Sequence, residues 1–275
     1  MEKLIRAIAY KMTGNCSHTA DIVQDIQLKL LTHQPEMQDE KNYIIRMTVN
    51  HCLNFLKKEN QLSYPDICLP EPIPSGMESN FISDYETTDH LNYEMIRLLN
   101  SLSPSERAVF ILKKAFDYRH QEIADAIGIS IDNSRQLLKR AKESLKQAKH
   151  QVGIAEKQLE LAAQYVGLIQ TGDLEGLIAL FNEDIAVLGD GGGKVFAAKI
   201  PILGREKAAR FITNIASKFD LAIHVELGLI LQQPAILLFL DKQCIAVQIL
   251  SIEQGKIVRV FSQINPDKLK LFHKN

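Results

Sequence analysis

The chain has 275 residues, room for two or three compact units, and its 46% hydrophobic and 24% charged content excludes wholesale disorder. Its longest apolar run, Pro234 to Leu240, falls far short of the roughly 20 residues of a membrane-spanning helix, and Met1 to Arg6 alternates charge at helical spacing unlike a signal peptide, so a cytoplasmic protein is expected. The net charge of −1 argues against a nucleic-acid partner only until it is divided: residues 1–60 carry +1, 61–95 carry −7, 96–150 carry +5, and 151–275 are balanced.

Residues 1–60 read as three helices. Leu4, Ile5, Ile8, Ala9 and Met12 form one face of the first, which Gly14-Asn15 stops. Ser17 is placed to cap a second helix with Ile22, Val23, Ile26, Leu30 and Leu31 inward, leaving Asp21, Gln24 and Asp25 on an exposed face. Beyond Pro35 a third helix runs from about Glu40 to Glu59. On it Asn42, Arg46, Asn50, Asn54 and Lys57 recur at steps of four, four, four and three, making one polar stripe. Such a stripe suits a DNA backbone and exposed bases; a purely structural helix fits nearly as well.

Residues 61–88 hold Pro65, Pro70, Pro72 and Pro74 within ten positions, so an extended or irregular linker is predicted. Helix returns over 89–150, where Ser103-Pro104-Ser105-Glu106 has the pattern of a capping box with proline at the first helical position. A short helix carrying Ile123, Ala124 and Ile127 then meets Gly128, and Ser130 caps another with Leu137, Ala141 and Leu145 inward. This is the plan of a helix-turn-helix. The outward residues Asn133, Arg135, Gln136, Lys139 and Arg140 suit base edges and phosphates in a major groove.

From about residue 154 the pattern changes. Two helical stretches (154–170 and 172–181), a further helix near 204–218, and β-rich runs such as Ile185–Leu188 and Ile236–Leu240 predict an α+β unit with a mostly antiparallel sheet. Cys16, Cys52, Cys68 and Cys244 are scattered and read as free thiols; His51 and Cys52, adjacent on a helix, point about 100° apart and chelate poorly, so neither metal nor cofactor is expected.

Leu102 to Leu112 followed by the helix-turn-helix resembles region four of sigma factors, which reads the promoter −35 element. Asp21-Ile-Val-Gln-Asp25 resembles the region-two signature that grips the clamp helices of RNA polymerase. Three further motifs, Leu69-Pro-Glu-Pro72, Asp190-Gly-Gly-Gly-Lys194 and Asn265-Pro-Asp-Lys-Leu269, together resemble the extracytoplasmic-function sigma factors with a SnoaL-like C-terminal extension, and this likeness spans essentially the whole chain. It departs at Cys68, where an aromatic residue, often Trp, is common; the chain contains no Trp.

The resemblance implies a multidomain protein: all-α region 2 over 1–60, a linker over 61–88, all-α region 4 over 89–150, and an α+β SnoaL-like (NTF2-like) cone-shaped barrel over 151–275. It implies core RNA polymerase, bound through Asp21, Gln24 and Asp25, and promoter DNA as partners. The −10 strand would fall to the stripe from Asn42 to Lys57 and the −35 element to Asn133, Arg135, Gln136, Lys139 and Arg140. It also implies regulation in cis, with contacts from Leu69, Pro70, Glu71, Pro72, Asp190, Gly191, Gly192, Gly193, Lys194, Asn265, Pro266, Asp267, Lys268 and Leu269.

Two readings of the third block compete with this one. The glycine run lacks the spacing of a phosphate-binding loop, and a tight turn between strands is favoured over a ligand role. Asp190, Asp220, His224 and Asp241 could serve an enzyme but make no recognisable acid–base pair, so catalysis is not expected; an unknown small ligand in this block stays open. A polymerase-independent helix-turn-helix regulator would leave Asp21–Asp25 unexplained.

Overall fold

The structure is a computed structural model and describes residues 1–32, 39–59, 67–81, 92–145, 155–218 and 223–273. Chain contacts divide it into two compact units: Met1–Ser63 with Gly76–Lys149, and Tyr64–Ser75 with His150–Asn275.

In the first unit, α1 spans Glu2–Thr13 and ends at Gly14, whose φ of 65° is the left-handed conformation that glycine takes without strain. A side chain there would also put its Cβ 1.9 Å from Asn100 Nδ2. The second helix, α2, spans Cys16–Thr32, and its cap is Asn15, whose Oδ1 accepts from His18 N at 2.8 Å; Ser17, the residue expected to cap it, is exposed inside the helix. Leu31 also departs from expectation. It is 76% exposed, because the buried row runs Thr19, Ile22, Val23 and Ile26 with Leu30 partly covered, and Leu31 lies about 100° beyond Leu30. The third helix, α3, spans Glu40–Glu59, and Asp39 Oδ1 accepts from Asn42 N at 3.0 Å across its first turn.

Four helices follow: α4 Tyr93–Ser101, α5 Pro104–Lys114, α6 His120–Ile127 and α7 Ile131–Leu145. Ser103 and Glu106 form the expected capping box on α5. Gly128, at φ 70°, closes α6, and Ser130 Oγ accepts from Asn133 N at 3.1 Å to start α7. One apolar cluster joins Ile5, Ile8, Ile45 and Val49 to Val109, Leu112, Ile123 and Ala126, so α1–α3 and α5–α7 share a core. Each fully buried Ile, Leu or Val contributes roughly 1.5–3 kcal/mol.

The second unit runs α8 Ala155–Thr171, α9 Leu174–Leu180, β1 Phe181–Asp190, β2 Ile202–Leu203, α10 Arg205–Ala216, β3 His224–Ile230, β4 Gln233–Leu240, β5 Gln243–Glu253 and β6 Lys256–Gln263, then 3-10 turns at Pro266–Lys268 and Lys270–Phe272. The strands form one sheet of order β2-β1-β6-β5-β4-β3, parallel at β1–β6 and antiparallel elsewhere. The sheet does not close, which corrects the expected cone-shaped barrel. Its edges are β3 and the two-residue β2, too short to offer a closing ladder, and α8 and α10 pack on the sheet in its place. Ala162, Tyr165, Ala208 and Ile212 from those helices meet Ile185, Ile236, Leu250 and Val260 from the strands. Among the described residues no helix is long and apolar enough to cross a membrane.

Candidate functional site

Helix α7 presents the outward residues without obstruction. Asn133, Arg135, Gln136, Lys139 and Arg140 are all exposed, while Leu137, Leu138, Ala141 and Leu145 are buried beneath them. Arg135 Nη1 lies 2.9 Å from Asp132 Oδ1, an exposed ion pair of little worth that leaves the guanidinium free to turn to a ligand. The angle between α6 and α7 has a polar fastener that the sequence did not reveal. His120 Nδ1 and the fully buried Ser134 Oγ are 2.9 Å apart, and burial together with Lys113, Arg135 and Lys142 holds the imidazole below its ordinary pKa.

The stripe on α3 is divided. Arg46, Asn54 and Lys57 are exposed, whereas Asn42 and Asn50 are half-buried against the second half of the unit. Asn50 Nδ2 donates to the Ala126 carbonyl at 2.7 Å, and the Tyr118 hydroxyl bonds Asn42 Oδ1. Burial pushes the Tyr118 phenol up to about 12, so it remains a protonated donor. A polar cleft of about 400 Å³ opens beside these residues, lined by Asp39, Lys41, Asn42, Arg46, Tyr118 and Glu122 among others.

On α2, Asp21, Gln24 and Asp25 are exposed on one face, and Leu28, 61% exposed, with Leu31 continues it toward the helix end. His51 of α3 stands behind this face, its Nε2 3.2 Å from Asp25 Oδ2 and its Nδ1 3.3 Å from Lys29 Nζ.

The three motifs of the linker and C-terminal unit meet at one carboxylate. Asp190, the last residue of β1, is buried. Its Oδ2 accepts from Lys268 Nζ at 2.7 Å, Leu69 N at 3.0 Å and Gln263 Nε2 at 3.3 Å, and its Oδ1 accepts from Gly192 N at 2.9 Å. The ammonium of Lys268 is equally occupied, reaching Asp190, the Leu69 carbonyl at 2.5 Å and Cys68 Sγ at 3.3 Å, one partner for each of its three protons. Burial alone would lower the Lys268 pKa; the Cys68 sulfur and the Asp190 carboxylate outweigh it and hold the ammonium above the usual lysine range. Leu69 is thus held by both backbone groups with its side chain buried, and Gln263 Nε2 also reaches the Pro70 carbonyl at 3.4 Å. Glu71 and Pro72 are buried alongside.

The glycine run is a turn built for close approach. Gly192 and Gly193 have φ of 60° and 68°, and a Cβ on Gly191 would fall 2.0 Å from the Val195 carbonyl oxygen. One on Gly192 would fall 2.3 Å from the Asn265 side chain. Asn265 caps the Pro266–Lys268 turn, which aims Lys268 inward over buried Leu269 and leaves Pro266 and Asp267 exposed. Lys194 Nζ bonds Asp267 Oδ2 at 2.5 Å, tying the two motifs together a second time. Gln263 and Cys68 complete the cluster. Gln263 carried no local signal, although it stands two residues before Asn265, and Cys68 stood out only as the departure from an aromatic residue beside Leu69.

Of the acid–base candidates, Asp190 is engaged with the linker, and His224 lies exposed on β3 2.9 Å from Glu226. Asp241 is exposed in the β4–β5 turn, and Asp220 lies outside the described residues. Among the described residues no group of three or more His, Cys, Asp or Glu could hold a metal ion.

Residues 1–61 match the family Sigma-70 region 2, and residues 93–145 match Sigma-70, region 4. The chain is therefore a sigma factor, carrying regions 2 and 4 of the sigma-70 family in that order. Its relatives include the Mycobacterium tuberculosis "Probable ECF RNA polymerase sigma factor SigI", 26% identical over 95% of this chain and 90% of the relative. The "ECF RNA polymerase sigma factor SigJ" of the same species is 23% identical over 78% of this chain and 70% of its own length. The crystal structure of SigJ shares the fold with a TM-score of 0.75 at 22% identity, covering 97% of this chain and 94% of that one. These homologues put the chain in the extracytoplasmic-function group, sigma factors that direct transcription by RNA polymerase and are not enzymes. Its C-terminal unit is an α+β domain built on one open, mostly antiparallel sheet.

Proposed function

We propose that the chain binds core RNA polymerase through Asp21, Gln24 and Asp25, holds the melted −10 strand on the α3 stripe, reads the −35 duplex with α7, and is controlled in cis by its C-terminal domain. Exposure of the α2 and α7 faces supports the first and third assignments. Cis control rests on one observation: Leu69 is bound through both backbone groups to the buried Asp190–Lys268 pair. Residues 61–88 join region 2 to region 4, so pinning Leu69–Ser75 in the C-terminal unit shortens the tether between the two DNA-binding regions. A signal that favours a released linker over a docked one would then change promoter output without a separate inhibitor.

Promoter-directed transcription with core enzyme tests this. Asp190→Asn should shift output in the same direction as deletion of residues 151–275, and unchanged output from both would sink cis control. Asp21→Arg with Asp25→Arg should abolish co-purification with core polymerase while −35 duplex binding persists; a retained complex would move the polymerase face elsewhere.

A further inference from the structure

The imidazole of His120 stands where three helices of region 4 bring basic side chains together. Its Nδ1 lies 2.9 Å from Oγ of Ser134, a residue with no exposed surface, which sets the ring against α7 one position from Arg135. Arg135 and Lys142 are seven residues apart, so they fall within about 20° of each other around α7, and both are exposed. Lys113 acts on the ring from α5, and every charge that does so is positive. On α6 itself Arg119 pairs with Glu122 at 2.9 Å, and Arg46 of α3, the third helix packed on α6, acts on Glu122 instead of the ring. Lys113 lies 3.2 Å from Asp117 and Arg135 2.9 Å from Asp132. Both carboxylates are more than 80% exposed, so these ion pairs are weak and yield to a stronger anion.

We propose that Lys113, His120, Arg135 and Lys142 form a phosphate subsite beside the α7 reading face, which takes one backbone phosphate of the −35 duplex and, with it, one proton on His120. The proposal rests on the assignment of α7 to that duplex. An imidazolium donates from both nitrogens, so Nδ1 keeps Ser134 Oγ and Nε2 serves a phosphate oxygen. The proton comes from solvent, and no covalent bond of the nucleic acid changes. Without DNA, burial and the three cations hold the ring below its ordinary 6.5. A phosphate reverses the sign of the local field and favours the imidazolium. Near neutral pH the complex therefore holds a proton that the free chain lacks, and binding tightens as pH falls. A contact of this kind fixes the register of α7 on the duplex and carries no sequence information.

The test is fluorescence anisotropy of a labelled −35 duplex with the full-length chain, from about pH 5.5 to about pH 8 at one salt concentration. A rise of about one unit in the His120 pKa on binding makes the complex about tenfold tighter at the acid end. His120→Asn, whose amide can still meet Ser134 but cannot titrate, should bind with an affinity independent of pH. Lys142→Ala removes one of the cations that keep the free ring neutral. It should move the pH dependence to higher pH and lower the salt slope by about one. If His120→Asn fails to fold, Lys142→Ala decides alone. Wild-type affinity that is flat across this range overturns the subsite, as does a pH dependence that His120→Asn retains. An unmoved pH dependence and salt slope in Lys142→Ala overturns it as well. No duplex binding by folded wild type at any pH overturns the α7 assignment, and the subsite with it.

Discussion

Two helices of this protein carry outward rows of polar and basic residues at helical spacing, and the fold treats them oppositely. On α7 the row is exposed from Asn133 to Arg140, over a buried layer of leucines. On α3 the row is interrupted, since Asn42 and Asn50 are half-buried and bonded to region 4 while Arg46, Asn54 and Lys57 face outward. The difference teaches that a polar stripe marks a helix face able to make hydrogen bonds, not one that is free. Asparagine offers two donors and an acceptor, and a neighbouring helix end can use them as well as a nucleic acid can.

The comparison breaks most decisively at Arg107. Arg107→Met leaves the Met12, Asn100 and Leu102 carbonyls without their buried donor and should cost about 3 kcal/mol, read as a lower denaturation midpoint. A loss below about 1 kcal/mol would show that the clamp does not hold the halves together. On the open side, Arg135→Ala with Lys139→Ala should weaken −35 duplex binding tenfold or more and flatten its salt dependence by about one unit of slope. Wild-type binding by that pair would reassign the reading face.

A smaller effect separates the two kinds of position on α3 itself. Asn50→Ala removes a donor to a helix-end carbonyl and should cost about 1 kcal/mol, whereas Asn54→Ala, exposed on the same helix, should change stability by less than about 0.5 kcal/mol. Equal costs would mean the stripe is not divided. The smallest effect concerns His51, behind the α2 face. Burial and Lys29 hold its imidazole below the ordinary 6.5, with Asp25 opposing them. The unfolded chain therefore takes up that proton at higher pH than the folded one. The contribution is present above 6.5 and is lost as pH falls through it, and His51→Gln should flatten this part of the stability–pH curve. A curve identical to wild type in that window would remove His51 from the account.

Much of this molecule was legible from local patterning. The α3 boundaries, the Ser103–Glu106 capping box, the Gly128 turn and the inward Leu137, Ala141 and Leu145 all follow from interactions within a few residues, which a linear sequence displays directly. The Asn15 cap was misjudged because Asn15 and Ser17, two residues apart, are both capping residue types and the helix starts at Cys16; Leu31 was misjudged because it lies one residue, about 100° of rotation, beyond Leu30. The three motifs of the linker and C-terminal unit were visible as motifs; that they converge on Asp190 was not.

By itself the sequence determined the helices, the caps at Ser103 and Ser130, the helix-turn-helix and the order of the regions, because helix periodicity, capping and turn chemistry act over one to four residues. Only the tertiary structure decided that Asn50 caps α6, that Arg107 reaches the end of α1, that Leu69 is pinned by Asp190 and Lys268, and that the sheet stays open. Those contacts join residues 76, 95, 121 and 199 positions apart. A buried carbonyl or carboxylate takes whichever donor the packing brings within about 3 Å, and sequence separation places no mark on that choice.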